Sequence, residues 1–229
     1  MSQERLAAEA LEEVRPGMRV GLGSGRAASA FVRALGARAR AGLDVRGVPT
    51  SEATARLARE EGIALEDLAV DPIDVAVDGA DEVDPQLDLI KGYGGALVRE
   101  RVVAAAARRV LILVEADKLV PVLGTRGRLP VEVLPFAAGF VAERLRRLGE
   151  APTLRRAEGR PVVTDNGNVI LDCAVGPLAD PAGTSARLGA IPGVVDTGLF
   201  LGLADTVLVA EQGTVRALTR PVPREVPRC

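Results

Sequence analysis

No histidine occurs among the 229 residues. That absence removes Ser-His-Asp and Cys-His catalysis, HExxH zinc sites and every imidazole ligand. Acid–base chemistry is left to carboxylates, lysine, tyrosine and cysteine. Tryptophan is also absent, and one tyrosine and four phenylalanines are the whole aromatic complement, so no base-stacking surface for nucleic acid is expected. Two cysteines, Cys173 and Cys229, stand outside any CxxC spacing. They form no four-thiolate site and read as thiols of a reduced, cytoplasmic chain. Excess basic charge is missing as well. The 29 Lys and Arg against 31 Asp and Glu give a net charge of −2, which offers no counter-surface to nucleic acid or to an anionic membrane. No apolar run reaches the roughly 18 residues of a membrane span. The segment Met1-Ser2-Gln3-Glu4-Arg5 leads into an amphipathic stretch, not a secretion signal.

Lysine is nearly missing too: Lys91 and Lys118 are the two, and every other basic residue is arginine. A GC-rich coding background accounts for such a bias. It also marks the two lysines as positions where a compact ammonium is not equivalent to a planar guanidinium.

What is present is hydrophobic, at 48% of the chain, enough for one large domain or two unequal ones. Leu6, Ala7, Ala10, Leu11 and Val14 share one helical face over residues 5–14, and Arg15-Pro16-Gly17 stops that helix. The pattern then alternates. Strands are predicted over 18–22, 44–48, 74–78 and 110–114, and helices over 27–40, 51–61 and 95–107. This spacing means a parallel sheet with right-handed crossovers. Near Leu129-Pro130 the pattern changes. A strand over 131–133, a helix over 136–148, a hairpin around Asp165-Asn166-Gly167-Asn168, a helix near 181–190 and a strand at 194–195 make a unit of mixed topology. Strands over 206–210 and 214–219 are expected to return to the first sheet, and the proline-bearing tail 221–229 to be extended. The predicted fold is α/β: a parallel-sheet Rossmann-like domain, residues 1–129 plus 206–229, with an inserted smaller α+β domain at 130–205.

Ligands of open parallel sheets bind beyond the carboxyl ends of the strands, and four unusual stretches are expected there. Gly23-Ser24-Gly25-Arg26-Ala27-Ala28 follows the first strand. Its glycines would let backbone approach an anion at a helix N-terminus. A dinucleotide turn and a ligand-free turn are the alternatives, though no acid closes the second strand to hold a ribose. Asp78-Gly79-Ala80-Asp81-Glu82 could bind a divalent metal, hold sugar hydroxyls or sit in solvent. Asp78, which directly ends an apolar strand, argues against solvent. Lys91-Gly92-Tyr93-Gly94-Gly95-Ala96 sets a cation beside a ring of N–H donors suited to a developing oxyanion, and Glu100 follows in the next helix. Glu115-Ala116-Asp117-Lys118 brings the second lysine to a strand end.

Together these stretches resemble ribose-5-phosphate isomerase, type A. So do Leu129-Pro130-Val131-Glu132-Val133, Thr164-Asp165-Asn166-Gly167-Asn168 and Ile191-Pro192-Gly193-Val194-Val195. The likeness runs in order over almost the whole chain. It implies aldose–ketose isomerisation of a pentose 5-phosphate through an enediol or enediolate, with no metal and no cofactor. It implies Glu100 as the base, Lys91 as the cation at the carbonyl, Asp81 for proton traffic at the sugar oxygens and Asp78 as a holder of hydroxyls. Gly23, Ser24, Gly25, Arg26, Ala27, Gly94, Gly95 and Lys118 would bind the substrate. The implied partners are a small sugar phosphate and a second copy of the chain, as a homodimer or homotetramer, without nucleic acid or membrane. The sequence departs from the family where hydroxyl residues usually follow the second glycine (Arg26 and Ala27), at a basic N-terminal position (Gln3), and where Tyr93 replaces a glycine. Two other readings compete. A non-catalytic sugar-phosphate sensor would need no base such as Glu100. A lactonase or amino-sugar deaminase on a related fold would benefit from the missing histidine.

Overall fold

The computed structural model describes residues 2–68 and 72–220. The predicted extended tail 221–229, with Cys229, lies outside the described residues. Two compact units are present. The first takes Met1–Ala80, Arg99–Leu119 and Gly202–Cys229, and the second Asp81–Val98 and Val120–Leu201.

The first unit is a seven-stranded sheet carrying helices. Its strand order is Thr214–Thr219, Thr206–Glu211, Val110–Glu115, Val75–Gly79, Arg19–Leu22, Arg46–Pro49 and Ala64–Leu65. All neighbours run parallel except the last hairpin, where Thr214–Thr219 returns antiparallel to Thr206–Glu211. This is the expected Rossmann-like sheet, and the two late strands do come back to it. Val110–Val114 are all buried, as a strand covered on both faces requires. Helix Arg26–Arg40 buries Ala28, Phe31, Val32, Leu35 and Gly36, an i, i+3, i+4, i+7, i+8 stripe. Full burial of Phe31 and Leu35 stabilises the fold by about 1.5–3 kcal/mol each. Helix Ser2–Leu11 adds Leu6, Ala7 and Ala10 to the same core. It starts three residues earlier than the apolar face alone suggested.

The second unit is α+β. A four-stranded antiparallel sheet, ordered Val194–Thr197, Arg128–Val133, Val169–Ala174 and Ala151–Leu154, packs with helices Ala138–Arg147 and Pro181–Gly189. A second, three-stranded sheet joins Leu199–Phe200 to Leu89–Ile90 and Glu82–Val83. These pairings give the compact units a different partition from the expected boundaries 1–129 and 130–205. Asp81, Glu82 and the lysine–glycine stretch lie within 81–98, while Asp78–Ala80 stay with the first unit, and the strands within 81–98 are only two residues long. Such short strands carry no readable periodicity, and their partner Leu199–Phe200 lies more than a hundred residues away in sequence. The hairpin expected at 162–171 is reduced to a Val163–Val169 bridge and a Thr164 N–H to Asn168 carbonyl bond. The turn residues serve instead to bond Glu132, as described below. Among the described residues, no helix is long and apolar enough to cross a membrane.

Candidate active site

In the first unit, strand Arg19–Leu22 ends at Gly23, and helix Arg26–Arg40 begins after Gly25. Gly25 has φ +91°, a conformation glycine adopts without the Cβ penalty, and no side chain caps this helix. Its first N–H groups are therefore left without a side-chain cap. The exposed Arg26 guanidinium makes no hydrogen bond or ion pair among the described residues, and Ala27 is half-buried.

Asp78 is buried at the end of the third parallel strand. Its Oδ1 accepts the N–H of Ser24 at 3.1 Å and of Gly79 at 2.7 Å. One carboxylate oxygen thus fixes the glycine turn across two strands. A side chain at Gly23 would collide with that carboxylate and come within 2.6 Å of Asp78 Cα, so glycine is required here for close approach.

Ser24 bonds to the neighbouring hydroxyl residues. Its Oγ lies 2.9 Å from the hydroxyls of both Thr50 and Ser51 and 3.2 Å from Thr54 Oγ1. Thr50 donates to the Leu22 carbonyl, Thr54 to the Gly23 carbonyl and Ser51 to Thr54, each at 3.0 Å. Each hydroxyl has one proton, and all four are used inside this cluster. The sequence reading used Thr50 and Ser51 only as hydroxyls at the start of the helix predicted over 51–61. Ser51 does cap helix Glu52–Glu60, but the group also braces the first glycine turn. Glu100 is buried in the first turn of helix Leu97–Ala106, where the helix dipole favours a carboxylate. Lys118 is half-buried and ends the 3-10 turn Ala116–Lys118 that follows strand Val110–Glu115.

The second unit holds Asp81, Lys91, Gly94 and Gly95. Lys91 does not follow a strand of the parallel sheet, as the sequence suggested. It follows Leu89–Ile90 of the short antiparallel sheet, is 4% exposed, and has its Nζ 5.6 Å from the centre of the Phe200 ring. Half-buried Asp81 accepts the Tyr93 N–H on Oδ2 at 3.0 Å. Gly94 is exposed and Gly95 half-buried. Tyr93 occupies a built niche: its ring lies 3.9 Å from the Arg128 guanidinium and its hydroxyl donates to the Arg128 carbonyl at 3.1 Å. Burial first, then the charges of Glu82 and Asp81, push the Tyr93 hydroxyl above its ordinary value.

Glu82 leaves the group of candidate metal or hydroxyl ligands. It is fully buried, and its two oxygens accept the N–H groups of Gly124 at 2.7 Å and Arg126 at 2.8 Å. It braces a loop. Glu132 is equally buried, and one oxygen takes Thr164, Asn166 and Asn168 as donors. The Asp-Asn-Gly-Asn turn is thus a lid on a buried carboxylate. Cys173 is buried, and its thiol is pushed up to about 12 by desolvation, then by Glu150 and Asp172. It is therefore no nucleophile.

Comparisons place these features among known proteins. A family described as ribose 5-phosphate isomerase A (phosphoriboisomerase A) matches residues 46–214. The ribose-5-phosphate isomerase A of Thermomicrobium roseum is 52% identical over 222 residues, covering 96% of this chain and 94% of the relative. The structure of ribose 5-phosphate isomerase A from Methanocaldococcus jannaschii superposes with TM-score 0.91 at 38% identity, covering 95% and 98% of the two chains. A D-ribose-5-phosphate isomerase in complex with phospho-erythronic acid gives TM-score 0.92 at 39% identity, over 96% and 98%.

Proposed function

The chain belongs to the ribose 5-phosphate isomerase A family, and from that premise we propose which of its residues carry the chemistry. The protein is an aldose–ketose isomerase interconverting ribose 5-phosphate and ribulose 5-phosphate. Two proton movements are needed. Glu100 removes the proton from C2 of the open-chain aldose and returns it to C1, so one carboxylate serves as base and then acid on one face of the sugar. Asp81 relays the O2 proton to O1. Between these steps the substrate is an enediolate, whose negative charge Lys91 and the N–H groups of Gly94 and Gly95 stabilise. Asp78 holds the first glycine turn and a sugar hydroxyl. Gly23, Ser24, Gly25, Arg26 and Ala27 form the phosphate end, with Lys118 as a second cation.

Buried Lys91 carries this reading. One of only two lysines in the chain is held next to a glycine-rich loop, where a compact ammonium outperforms the arginine used almost everywhere else. The ligand of the structural neighbour supports it as well. Phospho-erythronic acid joins a phosphate to a planar carboxylate, which has the charge and shape of an enediolate. The reaction as drawn needs no metal and no cofactor.

The proposal extends to assembly and compartment. A homodimer or homotetramer is supported by the apolar surface of the second unit, where Phe136 is fully exposed and Leu134 and Phe140 are exposed near it in the chain. A cytoplasmic location is supported by the free thiol of Cys173. Product analysis with ribose 5-phosphate, ribose and other phosphosugars in parallel tests the function. Conversion of ribose 5-phosphate to ribulose 5-phosphate is expected to dominate, and binding without turnover would favour the sensor.

A further inference from the structure

Arg155 follows strand Ala151–Leu154 and is 12% exposed, and its partner Asp172 on strand Val169–Ala174 is 15% exposed. The pair is a bidentate fork: Nε donates to Asp172 Oδ2 at 2.8 Å and one terminal nitrogen to Oδ1 at 2.5 Å. The other terminal nitrogen is turned the opposite way. It donates to the main-chain carbonyls of Gly92 at 2.9 Å and Tyr93 at 3.1 Å.

Those two carbonyls belong to consecutive peptides of the lysine–glycine loop. A trans peptide holds its C=O and N–H on opposite sides. The Gly92–Tyr93 peptide is therefore clamped from both sides, its oxygen by Arg155 and its N–H by Asp81 Oδ2 at 3.0 Å. The next peptide has its Tyr93 oxygen fixed by Arg155, which turns the Gly94 N–H to the opposite side. Arg128 completes the arrangement: it stacks on the Tyr93 ring, and its Nε lies 3.8 Å from Asp172. A loop with φ +101° at Gly92 and +88° at Gly95 has wide conformational freedom of its own. The restraint comes from side chains distant in sequence.

We infer that Arg155, anchored by Asp172, is the positioning residue that sets the Lys91–Gly95 loop, aiming the Gly94 N–H and orienting Asp81 for isomerisation. This rests on the roles proposed above for Lys91, Asp81 and Gly94. Lysine cannot substitute for Arg155. Its single nitrogen has no rigid fork to hold a carboxylate and two further carbonyls at once.

The chain supplies its own reporter, because Tyr93 is the only tyrosine and there is no tryptophan. Arg155→Lys and Asp172→Asn, each in the full-length protein, are measured for Tyr93 emission anisotropy, kcat, KM and melting temperature. A misplacement of about 1 Å costs about 10²-fold in rate. Arg155→Lys should therefore lower kcat by about that factor, with KM changed by less than about threefold. Tyr93 anisotropy should fall in parallel. Asp172→Asn should move the same readouts in the same direction, and it decides the matter if Arg155→Lys does not fold. Parent-like kcat and anisotropy in a folded variant overturn the inference. So does a lower melting temperature with kcat and anisotropy unmoved, since that is a structural role only. Lys91→Arg separates the underlying reading. Full turnover in that variant removes Lys91 from the chemistry, while Tyr93 anisotropy in the Arg155 variant still decides whether the clamp exists.

Discussion

A methyl group placed at position 23 probes the turn that joins the first strand to its helix. In Gly23→Ala the new Cβ would lie 2.6 Å from Asp78 Cα. Ordinary contact begins about 0.8 Å further out, and the atom struck is backbone, so no rotamer change relieves the clash. Either strand 19–22 or strand 75–79 must give, although Gly23 N–H is held to the Val77 carbonyl at 2.9 Å. A displacement of that size carries the Ser24 N–H, now 3.1 Å from Asp78 Oδ1, out of hydrogen-bonding reach. Overpacking costs about 1–3 kcal/mol and a hydrogen bond to a charged group about 1.5–3 kcal/mol. Allowing for partial relaxation, the loss should be about 3–5 kcal/mol, or about 6–20 °C in melting temperature for a chain of this size. Gly139→Ala is the control: it lies in helix Ala138–Arg147 with nothing within 4 Å of an added Cβ, and should be neutral or slightly stabilising. Thermal melts and urea titrations of the two variants beside the parent measure the difference. KM for ribose 5-phosphate should also rise in Gly23→Ala, because the turn presents the helix N-terminus. A Gly23→Ala protein with the parent's midpoint and KM would refute the close-approach argument.

Glu100→Gln keeps size and removes the base, so kcat should fall by about 10²–10⁴-fold in a folded protein that still binds substrate; steady-state kinetics beside a thermal melt decides. Arg26→Ala should raise KM for ribose 5-phosphate about ten- to a hundredfold, the equivalent of about 1.5–3 kcal/mol of charged hydrogen bonding. The four hydroxyl protons around Ser24 are already used, and the exposed Arg26 guanidinium beside that helix N-terminus makes no hydrogen bond or ion pair among the described residues. Unphosphorylated ribose should show no such penalty, and kcat should barely change. Prolonged chelation should leave turnover intact, and activity lost to chelator and restored by Mg²⁺ or Mn²⁺ would return Asp78 and Asp81 to a metal role. Absorbance titration of the sole tyrosine should place its ionisation above 10.0. Because the folded value is the raised one, the stability Tyr93 contributes is complete below 10.0 and is lost as pH rises through the folded value. Tyr93→Phe should flatten that part of the stability–pH curve.

Local chemistry made the first unit legible in the sequence. Apolar strands alternate with amphipathic helices of ordinary length, and each carries its own period. Six of the seven strands of that sheet follow from the alternation together with the handedness of crossovers, and the two-residue edge strand Ala64–Leu65 is too short to carry a pattern. Ser51 could be read as a cap and Gly23-Ser24-Gly25 as a turn because both signals span a few adjacent residues.

The environment of the lysine–glycine stretch was not legible, for a physical reason. Leu89–Ile90 is a strand only because Leu199–Phe200 and Glu82–Val83 pair with it, and two residues have no periodicity. Glu82 and Asp81 are neighbours of one chemical type in one loop. Yet the first is a fully buried brace for the loop at Gly124 and Arg126, and the second is half-buried and holds Tyr93. Arg155 is one of many arginines, with no motif to distinguish it, and only the fold brings its guanidinium to Gly92 and Tyr93. Short-range pattern determined the parallel sheet, and the reaction class came from the resemblance of the ordered motifs to one family. Which carboxylate faces a ligand and which holds backbone, and which arginine fixes the loop, are contacts between residues far apart in sequence. Tertiary structure alone decides these, because burial and hydrogen-bond partners are properties of position in space.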